Sequence, residues 1–274
     1  MSCSAVRGAP SPPKLSVSDL DGTNGFRLDG ARELEYAGSL VAAAGDFNAD
    51  GIDDFLVGAS ESNPLSRRGA GVLYVVFGRK GAFPRQMKLG DLDGRTGFAI
   101  PGPLPGDSLG FEASAAAAGD VNGDGIDDLT LTAAHRAGFV VFGARRKSFA
   151  KRLDLRTLNG HNGFRTKSIR IQAAGAGDMN GDGFDDVVFL GDRKSVKTHI
   201  LLGQKTFPNL VVLDETKGVS VVRIDGLPDS GIGAPAGDID RDGRADLLIG
   251  AERMVIDRVE GPGGGYVLFG QEWK

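Results

Sequence analysis

Short apolar runs alternate with glycine-rich polar turns along most of the chain. Small residues dominate four of the runs, at 39–45, 115–119, 171–177 and 233–237, and each of these leads directly into an aspartate-rich loop. More strongly apolar runs follow the loops and begin at Phe55, Leu129, Val187 and Leu247. β-Branched and aromatic residues in runs this short indicate strands and not helices. The pattern therefore predicts an all-β protein.

Two further runs complete each repeat. A third apolar run ends in glycine at 72–78, 138–143, 199–203 and 266–270. A looser fourth run covers 87–100, 153–164 and 211–224. The loops start 74, 58 and 60 residues apart, and four short strands repeated at such intervals are typical of the four-stranded antiparallel blades of a β-propeller. Small first strands fit this geometry, because the innermost strands of a propeller converge on its axis.

The N-terminal segment carries a fourth-strand pattern of its own, since residues 15–28 match residues 92–98. The last repeat stops after its third run. We therefore predict four blades closed into a ring by the N-terminal strand, centred on the loops at 46–54, 120–128, 178–186 and 238–246. Residues 15–274 would form this single domain, and residues 1–14 a disordered leader. An arc of a larger ring, or two chains that share one ring, is the open alternative.

The four loops place oxygen-bearing residues at loop positions 1, 3, 5 and 9 and glycine at position 6. A short loop with this spacing wraps hard oxygen ligands around Ca²⁺, and the main-chain carbonyl of position 7 adds another. The predicted ligands, for about four ions, are Asp46, Asn48, Asp50, Ile52 and Asp54; Asp120, Asn122, Asp124, Ile126 and Asp128; Asp178, Asn180, Asp182, Phe184 and Asp186; Asp238, Asp240, Asp242, Arg244 and Asp246.

An EF-hand uses a similar first half of the loop but requires a glutamate at position 12 and a helix on each side. Position 12 is Val57, Leu131, Phe189 or Ile249, each inside a strand-like run. The sequence therefore excludes the EF-hand.

Composition supports the repeat pattern and limits the partners. Glycine makes up 43 of 274 residues, well above the usual share of about 7%, as many turns require. No apolar run is long enough to span a membrane, and aromatic residues are only 7% of the chain, too few for the stacking platforms of a nucleic-acid binder. The loops hold sixteen of the 36 acidic residues, so the remaining surface is basic.

The face opposite the predicted calcium loops is the expected partner surface, for a protein or an acidic glycan. Its candidate cations are Arg67, Arg68, His135, Arg136, Arg193, Lys194, Lys197, Arg253 and Arg258, partly offset by Glu61, Asp192, Asp257 and Glu260. An ordinary solvated loop surface is the alternative.

Catalysis is the competing function. The four loops share one composition, whereas an active site should make one of them unlike the others. His135, His161 and His199 lie in three different repeats without a matching nucleophile. We predict a non-catalytic protein, with a polysaccharide-binding, lyase or hydrolase site on the calcium-free face as the alternative.

The Asp-x-Asn-x-Asp-Gly-x-x-Asp loop, followed by an apolar strand and Gly58-Ala59 or Gly250-Ala251, resembles the FG-GAP repeat of integrin α-subunit propellers and related bacterial surface and secreted proteins. The resemblance runs from about Leu15 to Gly270. It implies calcium-stabilised blades and an adhesion or interaction role. Because cytosolic calcium is too low to fill sites of this kind, we expect an extracellular or cell-surface setting, although no secretory signal stands at the N-terminus.

Overall fold

The all-β prediction is confirmed by the computed structural model, which describes residues 14–111, 114–133, 137–167, 171–191, 197–215, 217–227, 230–251, 255–256, 259–260 and 263–273. Within these residues, four antiparallel sheets follow one another along the chain. Short 3₁₀ turns lie between strands at Val17–Asp19, Pro64–Ser66, Leu89–Asp91 and Leu155–Thr157. The predicted leader, residues 1–14, lies outside the described part apart from Lys14.

Each sheet is built from strands of one continuous stretch of the chain, and the strands are numbered here in chain order. Sheet 1 contains β2 (Ala37–Gly45), β3 (Asp54–Ala59), β4 (Val72–Val76) and β6 (Gly97–Pro101). Sheet 2 contains β7 (Ala115–Gly119), β8 (Asp128–Ala133), β9 (Ala137–Val141) and β10 (Gly163–Thr166). Sheet 3 contains β11 (Ile171–Gly177), β12 (Asp186–Gly191), β13 (Thr198–Leu201) and β15 (Val221–Ile224). Sheet 4 contains β16 (Ser230–Gly237), β17 (Asp246–Ala251) and β20 (Gly264–Leu268).

The remaining strands are short and lie outside this pattern. They are β1 (Arg27–Asp29), β5 (Gln86–Lys88), β14 (Leu210–Val211), β18 (Val255–Ile256) and β19 (Val259–Glu260). Strand β1 pairs in parallel with β5, β14 adds in parallel to the outer edge of sheet 2, and β18 and β19 form a hairpin.

Consecutive sheets pack face to face through apolar layers. Leu56 and Val75 of sheet 1 meet Leu129 and Phe139 of sheet 2 in one buried cluster. Similar clusters join sheet 2 to sheet 3 and sheet 3 to sheet 4. The first strands contact one another in the order β2, β7, β11, β16, and their small residues allow this close approach. The arrangement is propeller-like.

The fourth apolar run of each repeat has two parts. Its second part is the fourth strand, as predicted. Its first part instead pairs in parallel with the fourth strand of the preceding sheet, at Ala99 with Arg152 and at Arg165 with Leu210. The same contact joins Arg27 of β1 to Gln86 of β5.

The structure does not confirm the prediction that the N-terminal strand completes the last sheet within one chain. Strand β1 bonds to β5 beside sheet 1, and β20 is the outermost strand of sheet 4 in the described part. Leu28 and Ala31 pack with the buried Val57 and Tyr74 on the face of sheet 1 that points away from sheet 2. Burial on this face holds the N-terminal strand there. No contact between β16 and β2 comparable to those of the neighbouring first strands closes a ring among the described residues.

Candidate metal-binding loops

Each predicted loop connects the first two strands of its sheet, and its position-1 aspartate organises the turn. Oδ1 of Asp120 accepts hydrogen bonds from the backbone N–H groups of Gly123 (2.8 Å) and Asp124 (3.0 Å), and Oδ2 accepts one from Gly125 (2.7 Å). Asp46, Asp178 and Asp238 accept equivalent bonds in the other loops. The loops are therefore held in one conformation by their own backbone donors.

The position-9 aspartates begin the second strands and are buried. Asp128 accepts hydrogen bonds from the N–H of Val121 (3.0 Å) and the N–H of Gly143 (2.8 Å), which follows the third strand. Asp186 and Asp246 accept the same pair of bonds. Burial raises the pKa of Asp128 to about 8 and those of Asp54 and Asp186 to about 7. Each carboxylate thus carries a desolvation penalty that a cation beside it would remove.

The oxygen atoms of two loops are arranged as a cation site requires. In loop four, carboxylate oxygens of Asp238, Asp240 and Asp246 lie within 4.8 Å of one another. In loop one, the buried atoms Oδ1 of Asn48 and Oδ2 of Asp54 have no hydrogen-bond partner. Buried oxygens without donors are costly unless a ligand reaches them. These oxygens are hard ligands of the kind Ca²⁺ prefers, so the residues present fit that ion.

Side chains at loop positions 3 and 5 also accept hydrogen bonds within the loops. At position 3, Asn122, Asn180 and Asp240 accept the N–H of the position-5 aspartate. Position-5 Asp124 and Asp182 accept the N–H of position 7. Coordination by the position-7 carbonyls of Ile52, Ile126, Phe184 and Arg244 remains a prediction.

Position 8 has a role that the sequence analysis missed. The carboxylate of Asp127 accepts the N–H of Asp46 (2.7 Å), and that of Asp185 accepts the N–H of Asp120 (2.7 Å). The position-8 aspartates of sheets 2 and 3 therefore tie each of these loops to the loop of the preceding sheet. The sequence did contain a signal for this role. The first three loops have aspartate at both position 8 and position 9, whereas calcium binding requires only the one at position 9.

The comparisons with known proteins agree with this geometry. The FG-GAP-like repeat model matches residues 178–249, and the FG-GAP repeat model matches residues 37–76. The chain therefore carries FG-GAP-type repeats in both of its halves. It is 26% identical to integrin alpha-4 of Xenopus laevis over 174 residues, which are 61% of this chain and 16% of that protein. It is 33% identical to integrin alpha-2 of Bos taurus over 109 residues, 39% of this chain and 8% of that protein. The chain thus spans less than a fifth of either relative.

The predicted partner surface of the FG-GAP repeats is described only in part. His135, Arg136, Asp192, Arg193, Lys194, Arg253, Asp257 and Arg258 lie outside the described residues. Arg67 is largely buried and donates to the carbonyl of Gly102 at 2.9 Å, so it is a structural residue. Lys197 pairs with Asp214 at 2.8 Å. Arg68 and Glu61 are exposed, and Glu260 lies in β19.

A cleft of about 430 Å³ lies between sheet 2 and the loop at 103–107, which follows sheet 1. Its floor is apolar and includes Phe139 and Leu155, and three cations line it, Arg156, Arg165 and Lys167. Arg156 is paired with Asp154. Arg165 and Lys167 are exposed. The sequence analysis missed them because they lie in β10 and directly after it, and not in the turns of the predicted partner surface.

The described histidines do not converge on a site. His161 is exposed in a turn, whereas His199 is buried in β13 with its Nε2 atom 3.4 Å from Asp214. Burial lowers the pKa of His199. Among the described residues, no helix is long and apolar enough to cross a membrane.

Proposed function

We propose that this chain is a calcium-stabilised β-propeller module that serves in adhesion or protein interaction and not in catalysis. The observation that carries the proposal is the pair of buried, donor-free oxygens on Asn48 and Asp54, at loop positions where the other repeats also present oxygen ligands. The carboxylate cluster of loop four supports the same chemistry in a second repeat.

Calcium would act here on stability. Each loop gathers several carboxylates, and a divalent cation offsets both their mutual repulsion and the burial of the position-9 group. Asp46, Asn48, Asp50 and Asp54 would hold the ion in loop one, and the matching residues would hold it in the other loops. Extracellular calcium modules bind at about 10⁻⁴–10⁻³ M, so calcium at several times Kd adds about 1 kcal/mol per site. An extracellular or cell-surface setting follows from that affinity range.

Thermal unfolding in calcium, in magnesium and in EGTA tests the stabilising role. We expect the midpoint to rise in calcium and to rise much less in magnesium, because Mg²⁺ requires six ligands in near-ideal octahedral geometry and keeps several waters. An equal midpoint in calcium and EGTA would contradict the proposal.

The interaction role rests on the FG-GAP repeats and on the likeness to two integrin α chains. A scaffold of repeated sheets leaves loops on both faces, and the calcium loops take one of them. The opposite face is therefore the proposed partner surface. The alternative, a catalytic propeller, has no convergent acid, base and nucleophile among the described residues to support it.

A second candidate is an acidic ligand, either a glycan or a peptide, bound in the cleft between sheet 2 and the loop at 103–107. The apolar floor and the exposed Arg165 and Lys167 favour it. Replacing both cations with glutamate should abolish retention on an anionic glycan column. The matched control reverses two exposed lysines elsewhere, Lys80 and Lys205, and should elute earlier but still be retained. Equal loss in both variants would mean that retention reflects net charge only.

A further inference from the structure

Each end of the described part carries an incomplete sheet, a single strand (β1) at the N-terminal end and three strands of sheet 4 at the C-terminal end. Strand β1 has the conformation and neighbours of a fourth strand, and among the described residues no first, second or third strand precedes it. Sheet 4 has three strands in the described part and lacks a fourth.

The turn before β1 is the turn that precedes the fourth strands of sheets 1 and 2. The N–H of Gly22 bonds to the carbonyl of Gly25 at 2.8 Å, and the same bond joins Gly94 to Gly97 and Gly160 to Gly163, each at 2.8 Å. Gly25-Phe26-Arg27 therefore corresponds residue by residue to Gly97-Phe98-Ala99 and Gly163-Phe164-Arg165.

The contacts of β1 with the following sheet repeat in the same register. The N–H of Arg27 bonds to the carbonyl of Arg85 (3.0 Å), as Ala99 bonds to Lys151 (3.0 Å) and Arg165 to Asn209 (3.1 Å). Phenylalanine rings stack beside each of these bonds: Phe26 on Phe83, Phe98 on Phe149, and Phe164 on Phe207. Strand β1 thus stands where the fourth strand of a preceding sheet belongs.

Sheet 4 exposes the face that sheets 1 to 3 bury against the next sheet. Leu248 and Val267, a cross-strand pair, are each 44% exposed, and Ile239 and Phe269 are 53% and 51% exposed. At the positions equivalent to Leu248 and Val267, the pairs Leu56–Val75, Thr130–Val140 and Val188–Ile200 are all fully buried. Four large apolar side chains exposed together mark an interaction surface.

Sheet 1 exposes the complementary surface. Val41 of its first strand is 75% exposed and faces away from sheet 2, whereas the equivalent Ala115 is buried against sheet 1. Asp53, at loop position 8, is exposed, whereas the equivalent Asp127 and Asp185 bind the preceding loop.

We propose that the partner of these surfaces is a second copy of this chain. Strand β1 of each copy pairs antiparallel with β20 of the other as the fourth strand of its sheet 4, with Phe26 opposite Val267 and Arg27 opposite Tyr266. Val41 then covers the exposed face of sheet 4, and Asp53 accepts the N–H of Asp238 across the contact.

A ring of two copies has a number of blades that is known for propellers. The contact is between two different surfaces, so it produces a ring or a filament. Two copies supply eight sheets, within the four to eight blades typical of propellers, and three copies would supply twelve. The product is a closed ring of two chains. This inference rests on backbone pairing and packing, and it stands independently of the calcium proposal.

Disulfide trapping tests the pairing in the full-length chain. In a background with Cys3→Ser, Arg27→Cys and Tyr266→Cys are made in separate chains that carry different tags. Mild oxidation of the mixture should give a covalent heterodimer at twice the 28.6 kDa of one chain. Arg27→Cys mixed with Lys217→Cys, an exposed loop position on sheet 3, should give at least tenfold less.

Two results would overturn the proposal. One is a disulfide that forms within a single chain when both cysteines are present, with none between the mixed single variants, which means closure within one chain. The other is a mixed sample that yields no more heterodimer than the Lys217 control.

Light scattering gives a second, independent measurement. The wild type should have twice the mass of one chain, and Val267→Lys should have the mass of one chain. Because Val267 is 44% exposed in the single chain, lysine there leaves the fold intact, which circular dichroism checks. A wild type with the mass of one chain, or a folded Val267→Lys variant that keeps twice that mass, would contradict the proposal.

Discussion

Substitutions of two neighbouring aspartates in loop two, Asp127 and Asp128, can distinguish calcium binding from contacts between sheets. Asp128 is a predicted calcium ligand, and both its oxygens accept backbone N–H groups within its own sheet. Asp127 is not a predicted ligand, and its carboxylate accepts the N–H of Asp46 from the preceding sheet. The substitutions Asp128→Asn and Asp127→Asn make the same chemical change one residue apart.

The two variants should differ in how calcium affects them. Asp127→Asn weakens a charge-assisted bond and lowers the free energy of unfolding by about 1 kcal/mol, with and without calcium. In Asp128→Asn, the side-chain NH₂ group replaces one carboxylate oxygen and faces a backbone N–H group, so one of the two hydrogen bonds is lost. The substitution also removes a predicted calcium ligand. It therefore costs about 1–3 kcal/mol in calcium, and the stabilisation by calcium shrinks by about 1 kcal/mol. For a chain of this size, that loss is about 2–4 °C of the calcium-induced shift in the unfolding midpoint.

Differential scanning calorimetry of the wild type and both variants, in calcium and in EGTA, measures these shifts. The expected result is a calcium-induced shift that is unchanged in Asp127→Asn and reduced in Asp128→Asn. A reduction of equal size in both variants, or in neither, would refute the assignment of position 9 to the metal and position 8 to the contact between sheets.

Three further predictions concern single residues. Gly119→Ala should lower the free energy of unfolding by more than about 1 kcal/mol, because its φ is +74° and the new Cβ collides with a carboxylate of the next loop; Gly51→Ala, at φ +84° with open space, is the control, and equal urea midpoints would refute the collision. The folded state keeps His199 neutral because burial lowers its pKa, whereas the unfolded chain takes up a proton near pH 6.5, so stability falls as the pH drops through that value. His199→Gln should flatten this part of the stability profile, and parallel profiles would contradict the argument. Asp240→Asn removes one of three clustered carboxylates and should weaken calcium binding at loop four in a calorimetric titration, while unchanged affinity would argue against a site there.

Local pattern was sufficient to predict the repeating strands. The small first strands, the apolar second strands and the loops between them lie where the sequence places them, because burial and close approach select residue types directly. In β8 and β12, for example, all six residues are buried, as continuous apolar runs such as Val187–Leu190 indicate.

Contacts between repeats were not predictable in this way. The parallel contact with the preceding sheet uses Gln86, Arg152 and Leu210 at equivalent positions. These residues share no property, because the contact is made by backbone atoms and leaves no trace in side-chain pattern. The position of the N-terminal strand depends on this contact, so its fourth-strand character was readable from Gly25-Phe26, but its location was not.

The central claim, that the four loops bind calcium, is tested most directly by counting ions. Equilibrium dialysis of the full-length chain against calcium, followed by atomic emission analysis, should give about four calcium ions per chain, one for each loop. Fewer than three bound ions per chain would contradict the account.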